Sequence, residues 1–191
     1  MKEREALLVI EEMINSTKND VKDNGFYYLI WGWLVFISSL TDYILLVGFN
    51  NDAHALVWGI LMPLGGLISF VRGRMDVKNQ RVKTYIDDTI KHLTIAFTVS
   101  IFIVCIIMPI TNKHWQSFFP TLMVVYAFGV FVFGGILKSK PLIWGGIANW
   151  VCAILAFFFG YDVQLLLLAT AVLLGFIIPG HILKARFKAH V

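Results

Sequence analysis

Residues 26–49 read FYYLIWGWLVFISSLTDYILLVGF, 24 positions with a single charged side chain, Asp42. The hydrocarbon core of a bilayer is about 30 Å thick, and a helix rises about 1.5 Å per residue, so roughly 20 apolar residues cross it. This stretch is long enough to do so. Moving outward along the chain, five more stretches lack Asp, Glu, Lys and Arg altogether: 53–71, 93–110, 117–137, 141–159 and 163–183. They are too long for barrel strands and do not alternate polar with apolar residues. The sequence therefore predicts an all-α polytopic membrane protein with six transmembrane helices.

The whole-chain composition agrees. Of 191 residues, 58% are hydrophobic and 15% are charged, against about 45–50% and 25% in soluble domains. Too few charges remain to clothe a water-facing surface. A cytoplasmic enzyme, a disordered chain and a fibrous repeat are all excluded. Cys105 and Cys152 fall in mid-span, so no disulfide framework or metal-binding Cys spacing is expected.

Between the spans, 50–52, 111–116 and 160–162 are short, which predicts three consecutive antiparallel hairpins. Lys and Arg are retained on the cytoplasmic side of membranes. Four lie before the first span, six between the second and third, two between the fourth and fifth, and three after the sixth; Lys113 alone falls on the other side. Both termini are expected in the cytoplasm, in the plasma (inner) membrane. The net charge of +4 is then no nucleic-acid signal. The lipid bilayer is the partner it implies, through anionic headgroups. The first 25 residues have no apolar stretch of signal-peptide type, so the first span is expected to direct its own insertion.

Residues 1–24 are read as a cytoplasmic amphipathic helix. Ala6, Leu7, Ile10, Met13, Ile14 and Val21 share a face, with Glu3, Glu5, Glu11, Glu12 and Lys18 on the remainder. Asn24-Gly25 supplies the turn before the transmembrane domain, 25–184, and residues 185–191 form a basic tail. The 72–92 connection is the long one. Val82, Tyr85, Ile86, Thr89, Ile90 and Leu93 recur at helical spacing, so the third helix is expected to begin below the membrane, near Asn79 or Gln80. The N-terminal helix is expected to pack against this basic loop, or to meet a cytoplasmic protein or a second copy of the chain.

A short phrase recurs. Leu29-Ile30-Trp31-Gly32 and Leu142-Ile143-Trp144-Gly145 open the first and fifth spans, and Leu56-Val57-Trp58-Gly59 lies in the second. Asp52 and Gly65 are spaced like Asp162 and Gly175. These matches suggest related hairpins in parallel orientation, as in transporters built from repeats.

Ionisable groups inside a membrane are expensive and so draw functional attention. Asp42 is the one acid inside a span, about 10 Å from its outer end at 1.5 Å per residue. Two readings follow: an outward-opening proton or cation site, or an interfacial acid paired with Lys113. Asn149 is the deepest strong polar group and continues the small-residue face Gly145, Asn149, Cys152 and Ala156, which suits an interhelical hydrogen bond. In the second span Pro63 stands among Gly59, Gly65 and Gly66, marking a candidate kinked or gating helix. Asp52, His54, His114, Asp162 and Gln164 belong to the outer ends, with a spacing that does not call for a metal. No catalytic residues and no cofactor are expected. Ser38, Ser39, Ser69 and Ser100 have no His or Lys at their own depth, and H-E-x-x-H is absent. The expected function is a non-catalytic regulatory or scaffold protein whose N-terminal helix and second loop face partners. The alternative is a small-molecule or proton-coupled ion transporter using Asp42 and the Pro63 helix.

Overall fold

A computed structural model describes residues 25–50, 53–79, 85–111 and 115–188. Among them all regular secondary structure is helical, with no strand. Helix α1 spans Gly25–Gly48 and ends in a wide π turn, Ile44–Gly48. Helix α2 is Leu56–Asn79, α3 is Tyr85–Thr111, α4 is Phe118–Ile136 and α5 is Lys140–Ala156. Helix α6, Tyr161–Val172, runs through a second π turn, Leu173–Ile177, into α7, Ile178–Lys188. Among the described residues five segments are long and apolar enough to cross a membrane: Gly25–Gly48, Leu56–Asp76, Asp88–Met108, Phe118–Ile136 and Tyr161–Ala185. Helix α5 is apolar but shorter, at 17 residues.

Several expected boundaries move. The fifth stretch was expected to be helical through 159, but regular helix stops at Ala156 and Phe157–Phe159 form a turn. Apolar composition carries no signal for that stop. The third helix is already formed at Tyr85, the first described residue after 80–84 and well before its apolar stretch, and the last continues to Lys188. Helix α2 is hydrogen-bonded as one run from Leu56 to Asn79 with Pro63 inside it. The amphipathic stretch 3–23 and residues 80–84 lie outside the described residues.

Two devices hold the helices together. The first is close backbone approach at glycine. A Cβ on Gly146 would lie 2.8 Å from Phe131 Cβ, and one on Gly134 would lie 2.8 Å from the Ile143 backbone nitrogen, so α4 and α5 pack nearly backbone to backbone. Glycine permits this because it carries no side chain to hold the helices apart. Lys138, at φ 50°, takes the left-handed conformation that closes α4, and Ser139 N–H donates to Gly134 O at 2.8 Å.

The second device is the side-chain hydrogen bond. Tyr27 Oη donates to Asp76 Oδ2 at 2.8 Å, and Trp31 Nε1 donates to Ser69 Oγ at 3.0 Å, both between α1 and α2. Helix α1 also runs antiparallel along the α6–α7 rod. Tyr161 meets Asp42, Ser39 Oγ donates to Leu165 O at 2.6 Å, Gly32 abuts Phe176 and Ile177, and Gly180 abuts Leu29.

The buried core therefore lies among α1, α4, α5 and α6. Met123, Val130, Leu142, Leu165, Leu168 and Val172 are fully enclosed there. Helices α2 and α3 sit at the margin and turn broad apolar faces outward, including Ile60, Leu67, Phe102 and Ile106.

Candidate functional site

The most concentrated buried polar chemistry lies at the end of the bundle where α1, α2 and α6 meet. Asp42 sits on α1 just before the π turn and is 0% exposed. Its carboxylate is closed on both oxygens. His54 Nδ1 lies 2.5 Å from Oδ1, in the turn that precedes α2. Trp58 Nε1, in the first turn of α2, donates to Oδ2 at 2.7 Å. Tyr161 Oη, the first residue of α6, donates to the same oxygen at 3.1 Å. The carboxylate thus meets an imidazole nitrogen on one oxygen and two neutral donors on the other.

Hairpin geometry explains why these residues meet. The chain reverses at Asn50, whose φ of 47° is left-handed, and the reversal brings residues 54–58 back beside position 42. Helix α6 enters from the same end, so its first residue arrives there too. Aromatic rings wall the site. Tyr161 lies 5.7 Å from the His54 ring and 5.3 Å from Phe119, and Phe119 lies 5.5 Å from Trp58. Desolvating a carboxylate is tolerable only when it is hydrogen-bonded, and these three partners meet that need.

One turn further along α6, Gln164 performs a comparable task for the backbone. It is 0% exposed, and its Nε2 reaches Gln116 O at 2.7 Å, Phe159 O at 3.0 Å and Ala156 O at 3.1 Å. The last carbonyls of a helix have no partner within it. Gln164 ties those ending α5 to the turn before α4.

Asn149 belongs to a separate centre. Its Nδ2 donates to Ala171 O at 3.0 Å and to Gly145 O at 3.2 Å. Gly145, Asn149, Cys152 and Ala156 are all buried, as their shared face requires. Both Leu-Ile-Trp-Gly phrases end on the same feature, the π turn Leu173–Ile177. Gly145 approaches Gly175 from α5, and Gly32 approaches Phe176 and Ile177 from α1.

The expected site residues thus divide. Asp42 and Asn149 do not share a partner. Lys113, the expected counter-ion of Asp42, lies outside the described residues, as do Asp52 and His114. Of the expected gating positions, Gly65 packs against Leu34 and Trp31 of α1, whereas Gly59 and Gly66 face open space on the outer side of α2 with Pro63 exposed between them. Among the described residues no group of three or more His, Cys, Asp or Glu gathers to hold a metal ion. In the sequence Trp58 stands out only within the recurring Trp-Gly phrase, and Tyr161 does not stand out at all. The usable signal was the hairpin itself, which brings 54–58 opposite 42. No protein-family model matches the chain, and neither curated proteins nor solved structures yield a match.

Proposed function

We propose that this chain crosses the inner membrane six times, as three antiparallel hairpins with both termini in the cytoplasm, and acts as a non-catalytic regulatory or scaffold protein. The sixth crossing is α5, extended by the apolar turn Phe157–Phe159. The orientation rests on the placement of 15 of the 16 Lys and Arg residues at the inner ends. The N-terminal segment and the α2–α3 connection are the partner-facing parts.

The observation that carries this reading is how Asp42 is used. A transport site needs a carboxylate able to exchange partners. This one is fully enclosed and satisfied by His54, Trp58 and Tyr161, which join three helices. Ser39, Asn149 and Gln164 likewise donate to carbonyls of other elements. Polar groups so engaged act as fasteners between helices.

A second reading, a proton-coupled transporter, is favoured by one feature: the acid–imidazole contact between Asp42 and His54, 2.5 Å long, with the His54 side chain 20% exposed. Reconstitution separates the two. Parent and Asp42→Asn proteins are compared in liposomes carrying a proton or cation gradient. The scaffold reading expects the same leak from both. Flux in the parent that the substitution abolishes would overturn it. Deletion of residues 1–23 is expected to abolish crosslinks to cytoplasmic proteins in cells; an unchanged crosslinking pattern would remove the partner-facing role of that segment.

A further inference from the structure

Two close approaches meet at the π turn Leu173–Ile177, Gly145 from α5 and Gly32 from α1. A π turn holds one residue more than an α-helical turn and so shifts the backbone ladder out of register, and such turns are frequent at working positions of helices. Here Ala171 O, at the entry to the wide turn, accepts from Asn149 Nδ2 at 3.0 Å. The same nitrogen donates to Gly145 O at 3.2 Å. With the amide nitrogen committed to two carbonyls, the orientation of the Asn149 side chain is fixed by its network. Its Oδ1 therefore points the other way. That oxygen is fully buried and accepts from no protein donor.

The surroundings supply further acceptors. Gly145 has no side chain, and the position its Cβ would take lies 3.0 Å from Leu174 O and 3.3 Å from Gly175 O. The missing side chain thus leaves carbonyls of the wide turn facing α5. A Cβ on Gly175 would overlap the Asn149 amide. Both glycines are needed for Asn149 to reach the turn at all. Asn149 Oδ1 is thus a buried acceptor with no donor, in a centre where carbonyls of the wide turn face α5. A buried acceptor without a donor is costly, and the small group that corrects the imbalance in protein interiors is water, which donates twice.

We infer that Asn149 Oδ1 and the carbonyls of the Leu173–Ile177 turn bind one internal water molecule in the middle of the bundle. The water donates to Asn149 Oδ1 and to a carbonyl of the turn, and it holds the turn at its wide pitch. This centre is distinct from the Asp42 cluster, and the inference does not depend on the function proposed above.

Water-edited solid-state NMR on the full chain in lipid bilayers tests it. Polarisation transfer from water is measured at the Asn149 Cγ and the Leu174 and Gly175 carbonyls. The equally buried Ala153 and Leu168 serve as dry references. The expected result is transfer at Asn149 and at one or both turn carbonyls several-fold faster than at the references. Transfer no faster than at Ala153 would overturn the inference, and that measurement needs no variant. In Asn149→Leu, transfer to the Leu174 and Gly175 carbonyls is expected to fall to the Ala153 rate. Fast transfer that survives this substitution would also overturn it, because the water would then not be held by Asn149.

Discussion

The α4–α5 and α1–α2 hairpins solve one problem in opposite ways. In α4–α5 the helices touch through glycine, with Gly134 and Gly146 each pressed on the opposing chain and a turn closed by backbone hydrogen bonds. In α1–α2 the contact is carried by polar side chains: Tyr27 to Asp76, Trp31 to Ser69, and Trp58 and His54 to Asp42. Lipid tails are as apolar as leucine, so burying a leucine between two helices gains little over leaving it in lipid. Association must come from close packing or from hydrogen bonds. Each hairpin relies mainly on one of these. The difference explains why α2 can lie at the margin with most of its apolar surface outward and still be fixed in register at both ends.

The comparison predicts where the chain breaks. Gly146→Leu should have the largest effect. A Cβ there already lies 2.9 Å from the Phe131 backbone, so the hairpin must open, at about 3 kcal/mol or more. Loss of the folded, detergent-stable fraction is the readout, and a variant as stable as the parent would refute the packing described.

Asp42→Leu comes next. It leaves Trp58, Tyr161 and His54 without their shared partner, at about 2–3 kcal/mol. Reversible unfolding in bicelles should show this, and a stability unchanged within error would remove the fastening role.

Gly66→Ala should have the smallest effect and the opposite sign. Nothing lies within 4 Å of the added methyl, so the better helix propensity of alanine gives a gain of at most about 1 kcal/mol. A loss of stability would mean that this face of α2 makes a contact of its own.

The spans were readable because charge is so rare that its few occurrences mark the ends. Where tertiary contact sets a boundary, composition was blind. Phe157, Phe158 and Phe159 look like a continuing helix, yet the carbonyls ending α5 are taken by Gln164 from the next helix, and no local pattern announces that. The small-residue face around Asn149 was readable from its spacing, but the π turn it serves was not, since Leu-Leu-Gly-Phe-Ile is equally compatible with regular helix. The surroundings of Asp42 show a different gap. A search for a counter-ion looks for Lys or Arg and finds Lys113. The structure supplies neutral donors from Trp58 and Tyr161 beside His54; the hairpin pairing of positions 42 and 54–58 indicates Trp58 and His54, and nothing local indicates Tyr161.

The claim that Asp42 works by joining helices is tested most directly by a double-mutant cycle in a lipid bilayer, combining Asp42→Asn with Tyr161→Phe. These residues lie on α1 and α6, joined by a hydrogen bond of 3.1 Å. Interhelical hydrogen bonds in membranes couple by about 0.6 kcal/mol on average and up to about 1.7 kcal/mol. A coupling energy within that range, with liposome leak unchanged in all four proteins, is the predicted result. Strictly additive stabilities, accompanied by flux that disappears with Asp42, would contradict the account.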